Sequence, residues 1–236
     1  MRVQGRDAAD FLQRMVSNDV LAGEHCEALL LTPKARVIAP LVVWRRADDD
    51  FLLLTEPELG ETVRAHLTRM RFAAKCEIVP EEHTSTIVFG SEEGIPTSDF
   101  GVPAAEVLDA DIEATVGDEE LERLRIEAGT PRWGREIDDR VLPAEAGLTE
   151  RAVSFTKGCY PGQEPIARQH YRGKVNRRLR VLEVDDALVD AEVVHGEKGV
   201  GRVTSAVPGL ALAFVRVEVP DDAELSVAGA AARLRG

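Results

Sequence analysis

Residues 157–164, Lys157-Gly158-Cys159-Tyr160-Pro161-Gly162-Gln163-Glu164, set an ammonium, a thiol, a carboxamide and a carboxylate side by side. The thiolate is the nucleophilic form of cysteine, and a nearby ammonium or a helix N-terminus lowers a thiol pKa. Cys159 is therefore a candidate reactive thiol and Lys157 its candidate activator, with Gly158 and Gly162 allowing close backbone approach. The same residues also suit a tight strand-to-helix junction around an inert cysteine. Lysine is scarce here: among 29 Lys and Arg residues only Lys34, Lys75, Lys157, Lys174 and Lys198 are lysines, so one at this point is less a product of composition.

At 236 residues and 44% apolar composition, the chain can bury the core of one large domain or two modest ones. No apolar run is long enough to cross a bilayer, so no membrane partner is expected and a cytoplasmic location is. Cys26, Cys76 and Cys159 are odd in number and far apart, which predicts free thiols. No metal is predicted, because the histidines and cysteines lack ligand spacing. Without a P-loop or a Gly-x-Gly-x-x-Gly turn, nucleotide hydrolysis and dinucleotide redox chemistry are not expected. His170 could pair with Cys159, but no protease signature surrounds them.

A net charge of −13 argues against broad nonspecific nucleic-acid binding. Residues 165–182 run against that balance, carrying Arg168, Arg172, Lys174, Arg177, Arg178 and Arg180 and no acid. They form either a local patch for a carboxylate tail, a phosphate or an RNA such as tRNA, or a set of partners for acids elsewhere.

The elements that must position these groups are legible as periods. Ala8, Phe11, Leu12, Met15 and Val16 fall at helical spacing, with Asp7 as N-cap, and Ser17-Asn18-Asp19 ends the helix. Apolar runs at 26–31 and 36–44 flank the turn Thr32-Pro33-Lys34-Ala35, and Pro40 implies an edge strand or a bulge. A strand at 51–55, a helix opened by Pro57, strands at 76–79 and 86–89 and an irregular stretch at 90–103 follow. A helix from Asp118 presents Leu121, Leu124 and Ala128 and stops at Gly129. Beyond residue 179 the pattern is short strands broken by glycine, which predicts a small β-barrel or sandwich. Helices alternating with strand pairs predict an α+β class.

Residues 157–164 resemble the Lys-Gly-Cys-Tyr-x-Gly-Gln-Glu signature of the YgfZ family, folate-binding relatives of the glycine-cleavage T-protein that assist iron–sulfur proteins. The resemblance extends to Gly5-Arg6-Asp7-Ala8, Ser17-Asn18-Asp19-Val20, Leu31-Thr32-Pro33-Lys34, Arg125-Ile126-Glu127-Ala128-Gly129 and Pro143-Ala144-Glu145-Ala146-Gly147-Leu148. It implies a T-protein (aminomethyltransferase)-like fold, with two intertwined α+β halves over residues 1–175 and a C-terminal β-barrel domain over 176–236. It implies a tetrahydrofolate species as cofactor, and iron–sulfur enzymes or assembly proteins, including tRNA-modifying enzymes, as partners. On that resemblance Asn18, Asp19, Arg125 and Glu127 line the pterin side, and Gln163 and Glu164 orient the turn or the ligand. Arg168 or Arg172 then meets the folate carboxylate. The family's first strand is expected to be missing, Leu121 replaces an aromatic residue, and Pro161 fills the signature's free position.

Aminomethyltransferases carry acidic residues, one of them catalytic, where this chain has Ala39 and Pro40, so glycine-cleavage chemistry is not expected. Two alternatives stay open: a folate-dependent aminomethyltransferase or demethylase with another acceptor, and a non-enzymatic RNA- or protein-binding adaptor.

Overall fold

Residues Arg2–Gln4, which are too few to show a period, form the first strand, β1. The computed structural model describes residues 1–173 and 175–235, and in it β1 lies inside a five-stranded antiparallel sheet. β1 pairs with a strand on each flank, and its central Val3 is fully buried. Helix α1 (Ala8–Met15) buries Ala8, Phe11, Leu12 and Met15, as its spacing predicts. Asp7 stands at its N-cap, but its side chain makes no cap bond; it accepts instead from the Lys75 amide at 2.7 Å. Gly5, at φ +129°, brings the two segments together, and a Cβ there would lie 2.6 Å from the Lys75 carbonyl oxygen.

Strands β2 (His25–Leu31) and β3 (Val37–Ala47) form a hairpin closed by the Thr32–Ala35 turn, in which the Ala35 amide donates to the Thr32 carbonyl. Next come β4 (Asp50–Leu54), helix α2 (Gly60–Met70), preceded by a 3-10 turn at Pro57–Leu59, and β5 (Glu77–Val79). The sheet order β2-β3-β4-β1-β5 makes β3 an interior strand, which corrects the edge-strand alternative for Pro40. A proline fits there because it lies beyond the last β3–β4 pair, Val42 with Leu54, where the Thr55 hydroxyl meets the Pro40 carbonyl. A register shift at Ile38 supplies the bulge.

Strands β6 (Ser85–Phe89), β7 (Ile95–Thr97) and β8 (Ala104–Leu108) form a second, three-stranded sheet in the order β6-β8-β7. β7 lies within the stretch 90–103 that glycine and proline punctuate. Helix α3 (Asp118–Glu127) ends before Gly129, which adopts φ +72°. Its buried face corrects the expected one: Arg125 and Ile126 are buried, Leu121 and Leu124 half-buried and Ala128 exposed. Helices α4 (Leu148–Ala152) and α5 (Gln163–Arg172) follow.

The remaining strands, β9 (Arg177–Val184), β10 (Glu192–His195), β11 (Lys198–Val207), β12 (Leu210–Arg216), β13 (Leu225–Val227) and β14 (Ala230–Leu234), close into a barrel. β12 is apolar at consecutive positions because both its faces are covered. Ala211, Ala213 and Val215 face the barrel core, whereas Leu210 and Leu212 pack with Ile126 of α3.

The chain divides into two compact units, each made of two segments: Met1–Glu82 with Ile137–Lys174, and His83–Glu136 with Val175–Gly236. Among the described residues no helix is long and apolar enough to cross a membrane.

Candidate functional site

In the first unit the loop between α1 and β2 is laced to the segment that follows α4. The Ser17 hydroxyl donates to the Ala152 carbonyl at 2.5 Å and accepts the Leu29 amide at 2.7 Å, and the Ser154 amide donates to the Ser17 carbonyl at 3.0 Å. Asn18 spends its amide on the Glu27 carbonyl at 2.7 Å and the Arg151 carbonyl at 3.3 Å. Lys157 completes the lacing: its ammonium donates to the Val16 carbonyl at 2.8 Å and the Asn18 carbonyl at 2.6 Å. A buried cation held mainly by carbonyl dipoles is only partly compensated.

Burial consequently brings the Lys157 pKa down to about 8, against the opposing pull of Asp19 and Cys26. The thiol that feels the ammonium is Cys26. Burial pushes that thiol up to about 11, with Lys157 pulling it back. The partner that sequence adjacency suggests for Lys157 is Cys159; the partners its hydrogen bonds select lie some 140 positions earlier in the chain. Cys159 itself is exposed, whereas Cys26 is half-buried and Cys76 buried.

Tyr160 turns inward beside Lys157, whose Nζ lies 5.4 Å from the centre of its ring. Burial raises the phenol to about 12, and its hydroxyl has no hydrogen-bond partner among the described residues. Gly162 then adopts φ +86°, and a Cβ there would come within 2.7 Å of the Thr32 carbonyl oxygen, so glycine is required where the signature turns into α5 against the β2–β3 hairpin. Gln163 and Glu164 open α5, half-buried and exposed respectively. Asp19 accepts from the Gln13 carboxamide at 2.9 Å and the Leu21 amide at 3.0 Å, both through Oδ1.

Arg125 and Glu127 belong to the second unit. Arg125 pairs with Glu122 at 2.7 Å and Glu136 at 3.2 Å and also donates to the Thr130 carbonyl and to Ser205. Burial works to lower its pKa, but the Glu122 hydrogen bond and the charge of Glu136 outweigh it and hold the pKa above the ordinary value. Glu127 pairs with Arg235 at 2.7 Å. Both side chains are thus spent on links within their own unit.

The arginines after the signature divide between the units. Arg168 and Arg172 are exposed on α5, while Arg177 covers the Phe214 ring at 4.6 Å and Arg180 pairs with Asp221 at 2.8 Å. Lys174 lies outside the described residues. His170, a possible partner of Cys159, stacks on Phe155 at 4.0 Å. Sequence reasoning missed Cys26 and Glu136, which carry no local motif, and passed over the Tyr160 hydroxyl inside the signature.

Residues 176–236 match the family model of the CAF17 C-terminal β-barrel domain. The tRNA-modifying protein YgfZ of Escherichia coli O157:H7 is 27% identical over 87% of this chain and 77% of its own length. A mitochondrial iron–sulfur cluster assembly factor IBA57 homolog of Pyricularia oryzae is 24% identical over 98% of this chain and 72% of its own. The crystal structure of the glycine cleavage system aminomethyltransferase T from Bartonella henselae aligns with a TM-score of 0.84 at 20% identity, covering 100% of this chain and 82% of that one. At that identity the likeness is one of fold, and it is the T-protein-like fold with a small C-terminal barrel that the resemblance implies. These matches bear out the resemblance to the YgfZ family that the signature at residues 157–164 carries: the chain is similar to YgfZ and IBA57 proteins over most of its length.

Proposed function

We propose that the protein binds a tetrahydrofolate species and supports the maturation or repair of iron–sulfur enzymes, those that modify tRNA included, in a compartment that keeps its thiols reduced. Two relatives carry those activities in their names, as a tRNA-modifying protein and as an iron–sulfur cluster assembly factor. One structural observation supports the folate half most: the Tyr160 hydroxyl is buried inside the signature and meets no partner among the described residues. Leaving such a group unpaired costs about 1–3 kcal/mol, so a ligand that pairs with it is favoured.

The groups of the first unit suit a polar heterocycle. Tyr160 can donate or accept, and Asp19 Oδ2 accepts no hydrogen bond among the described residues and suits a ring N–H. Bound tetrahydrofolate would supply a carrier of one-carbon units. Lys157 holds the Asn18–Asp19 backbone against the signature, which keeps Asp19 and Tyr160 in a fixed relation. Arg125, closed in by two carboxylates, is not needed for this reading.

The aminomethyltransferase alternative finds no carboxylate along Val37-Ile38-Ala39-Pro40-Leu41-Val42; Ala39 is fully buried and Pro40 faces Leu29. Cys159 is the exposed thiol and takes the chemical role, if the support given to iron–sulfur enzymes includes a covalent step. Calorimetric titration of the wild type with tetrahydrofolate is expected to give saturable binding; absence of heat at millimolar ligand removes the folate half. Cys159→Ser is expected to fold normally and fail to restore iron–sulfur enzyme activity in cells lacking the protein, and full rescue would make the thiol structural.

A further inference from the structure

The outward face of α5 carries Tyr171, which the folate reading does not use, beside Arg168 and Arg172, one of which the family resemblance gives to the folate carboxylate. Ile166 anchors the helix and is buried, and Arg168, Tyr171 and Arg172, at i, i+3 and i+4, share the opposite face. Tyr171 is 70% exposed. It is nevertheless not loose. Phe155 stacks on His170 at 4.0 Å, and Tyr171 stands edge-on to both, 6.0 Å from Phe155 and 4.9 Å from His170. The ring is braced by two aromatic neighbours and stays largely exposed. Among the described residues no carboxylate pairs with Arg168 or Arg172. Glu164, one turn earlier, is the acid on that face.

In a chain of net charge −13, two unpaired guanidiniums beside a braced, open aromatic ring select for a partner with both negative charge and flat faces. We propose that this face of α5 binds single-stranded RNA, with a base stacked on Tyr171 and the flanking phosphates held by Arg168 and Arg172. An acidic peptide would engage the arginines and leave the ring unused. A duplex keeps its base faces stacked internally and cannot offer one to Tyr171. A small ligand needs a concavity that buries most of its surface, which an exposed helix face does not provide.

The test is fluorescence anisotropy of the full chain with a short labelled single-stranded RNA of mixed sequence, at several salt concentrations. The wild type is expected to bind saturably. Tyr171→Ala weakens binding about tenfold, while Tyr171→Phe keeps the ring and the affinity. Arg168→Ala and Arg172→Ala each flatten the slope of log K against log salt by about 0.7. Tetrahydrofolate binding by Tyr171→Ala stays at the wild-type level, so this proposal and the folate reading fail separately. No saturable RNA binding by the wild type would overturn it. So would an unchanged affinity in Tyr171→Ala, or equal binding of polyglutamate, which would mark the face as a site for an acidic protein.

Discussion

Lys157 in the first unit and Arg125 in the second are similarly buried, at 9% and 6% exposure, yet their surroundings treat charge in opposite ways. Arg125 is closed in by Glu122 and by a fully buried Glu136, with Ser205 and the Thr130 carbonyl filling its remaining donors. Its pKa rises. Lys157 has two backbone carbonyls and only a longer-range attraction to Asp19, and its pKa falls to about 8. A cation matched by carboxylates is fixed in one state and serves packing. A cation matched by dipoles sits near its own titration and beside a thiol and an unpartnered phenol, which is the environment expected of a functional site.

The comparison is broken most severely at Arg125. Arg125→Met leaves Glu136 buried without a counter-charge and is expected to destabilise the protein by about 3–5 kcal/mol, read from urea or thermal unfolding. Equal stability would show that the pair contributes nothing to the fold. Lys157→Met removes a poorly compensated charge while stranding the Val16 and Asn18 carbonyls. Its loss is expected to be smaller, about 1–3 kcal/mol, with weaker tetrahydrofolate binding.

The smallest effect is a pH dependence. Lys157 has a lowered folded pKa, so its cost is full below pH 8 and is relieved as pH rises from there toward its unfolded value of about 10.4. Cys26 has a raised one, so its stability is full below about 8.5 and is lost as pH rises through 11. The two trends oppose each other over most of that range. Cys26→Ala lacks the Cys26 loss while the Lys157 relief is common to both proteins, so its stability relative to wild type is expected to rise between about pH 8.5 and 11. A flat difference would show that the Cys26 thiol is not raised by the fold. The raised phenol of Tyr160 affects both proteins alike and drops out of the difference.

Local periods carried much of the fold. The α1 face, the Thr32–Ala35 turn and the barrel strands all repeat within a few residues, and all are found in place. β1 was hidden because three residues have no period, and the α3 face was displaced because Arg125 can be buried only with Glu136, which is 11 positions away and has no motif to announce it. Of the two readings of Pro40, the edge strand fails because an interior strand can still have one open flank, and the bulge is found. At the site, the signature marked the right segment, but the partners of Lys157 are 139 and 141 residues distant. Adjacency in sequence pointed to Cys159; folding delivered the Val16 and Asn18 carbonyls and the neighbourhood of Cys26. The basic run 165–182 left a single patch and pairing with distant acids both open, and the fold divides it: Arg177 covers Phe214 and Arg180 pairs with Asp221.

The most direct test of a ligand-facing signature is calorimetric titration of tetrahydrofolate into the wild type and Tyr160→Phe at neutral pH. The variant loses only a hydroxyl that has no partner among the described residues and is expected to be at least as stable as the wild type. The account predicts one saturable site in the wild type and an affinity about tenfold lower in Tyr160→Phe, a difference near 1.4 kcal/mol. Equal affinities in the two proteins, or no binding by the wild type, would contradict it.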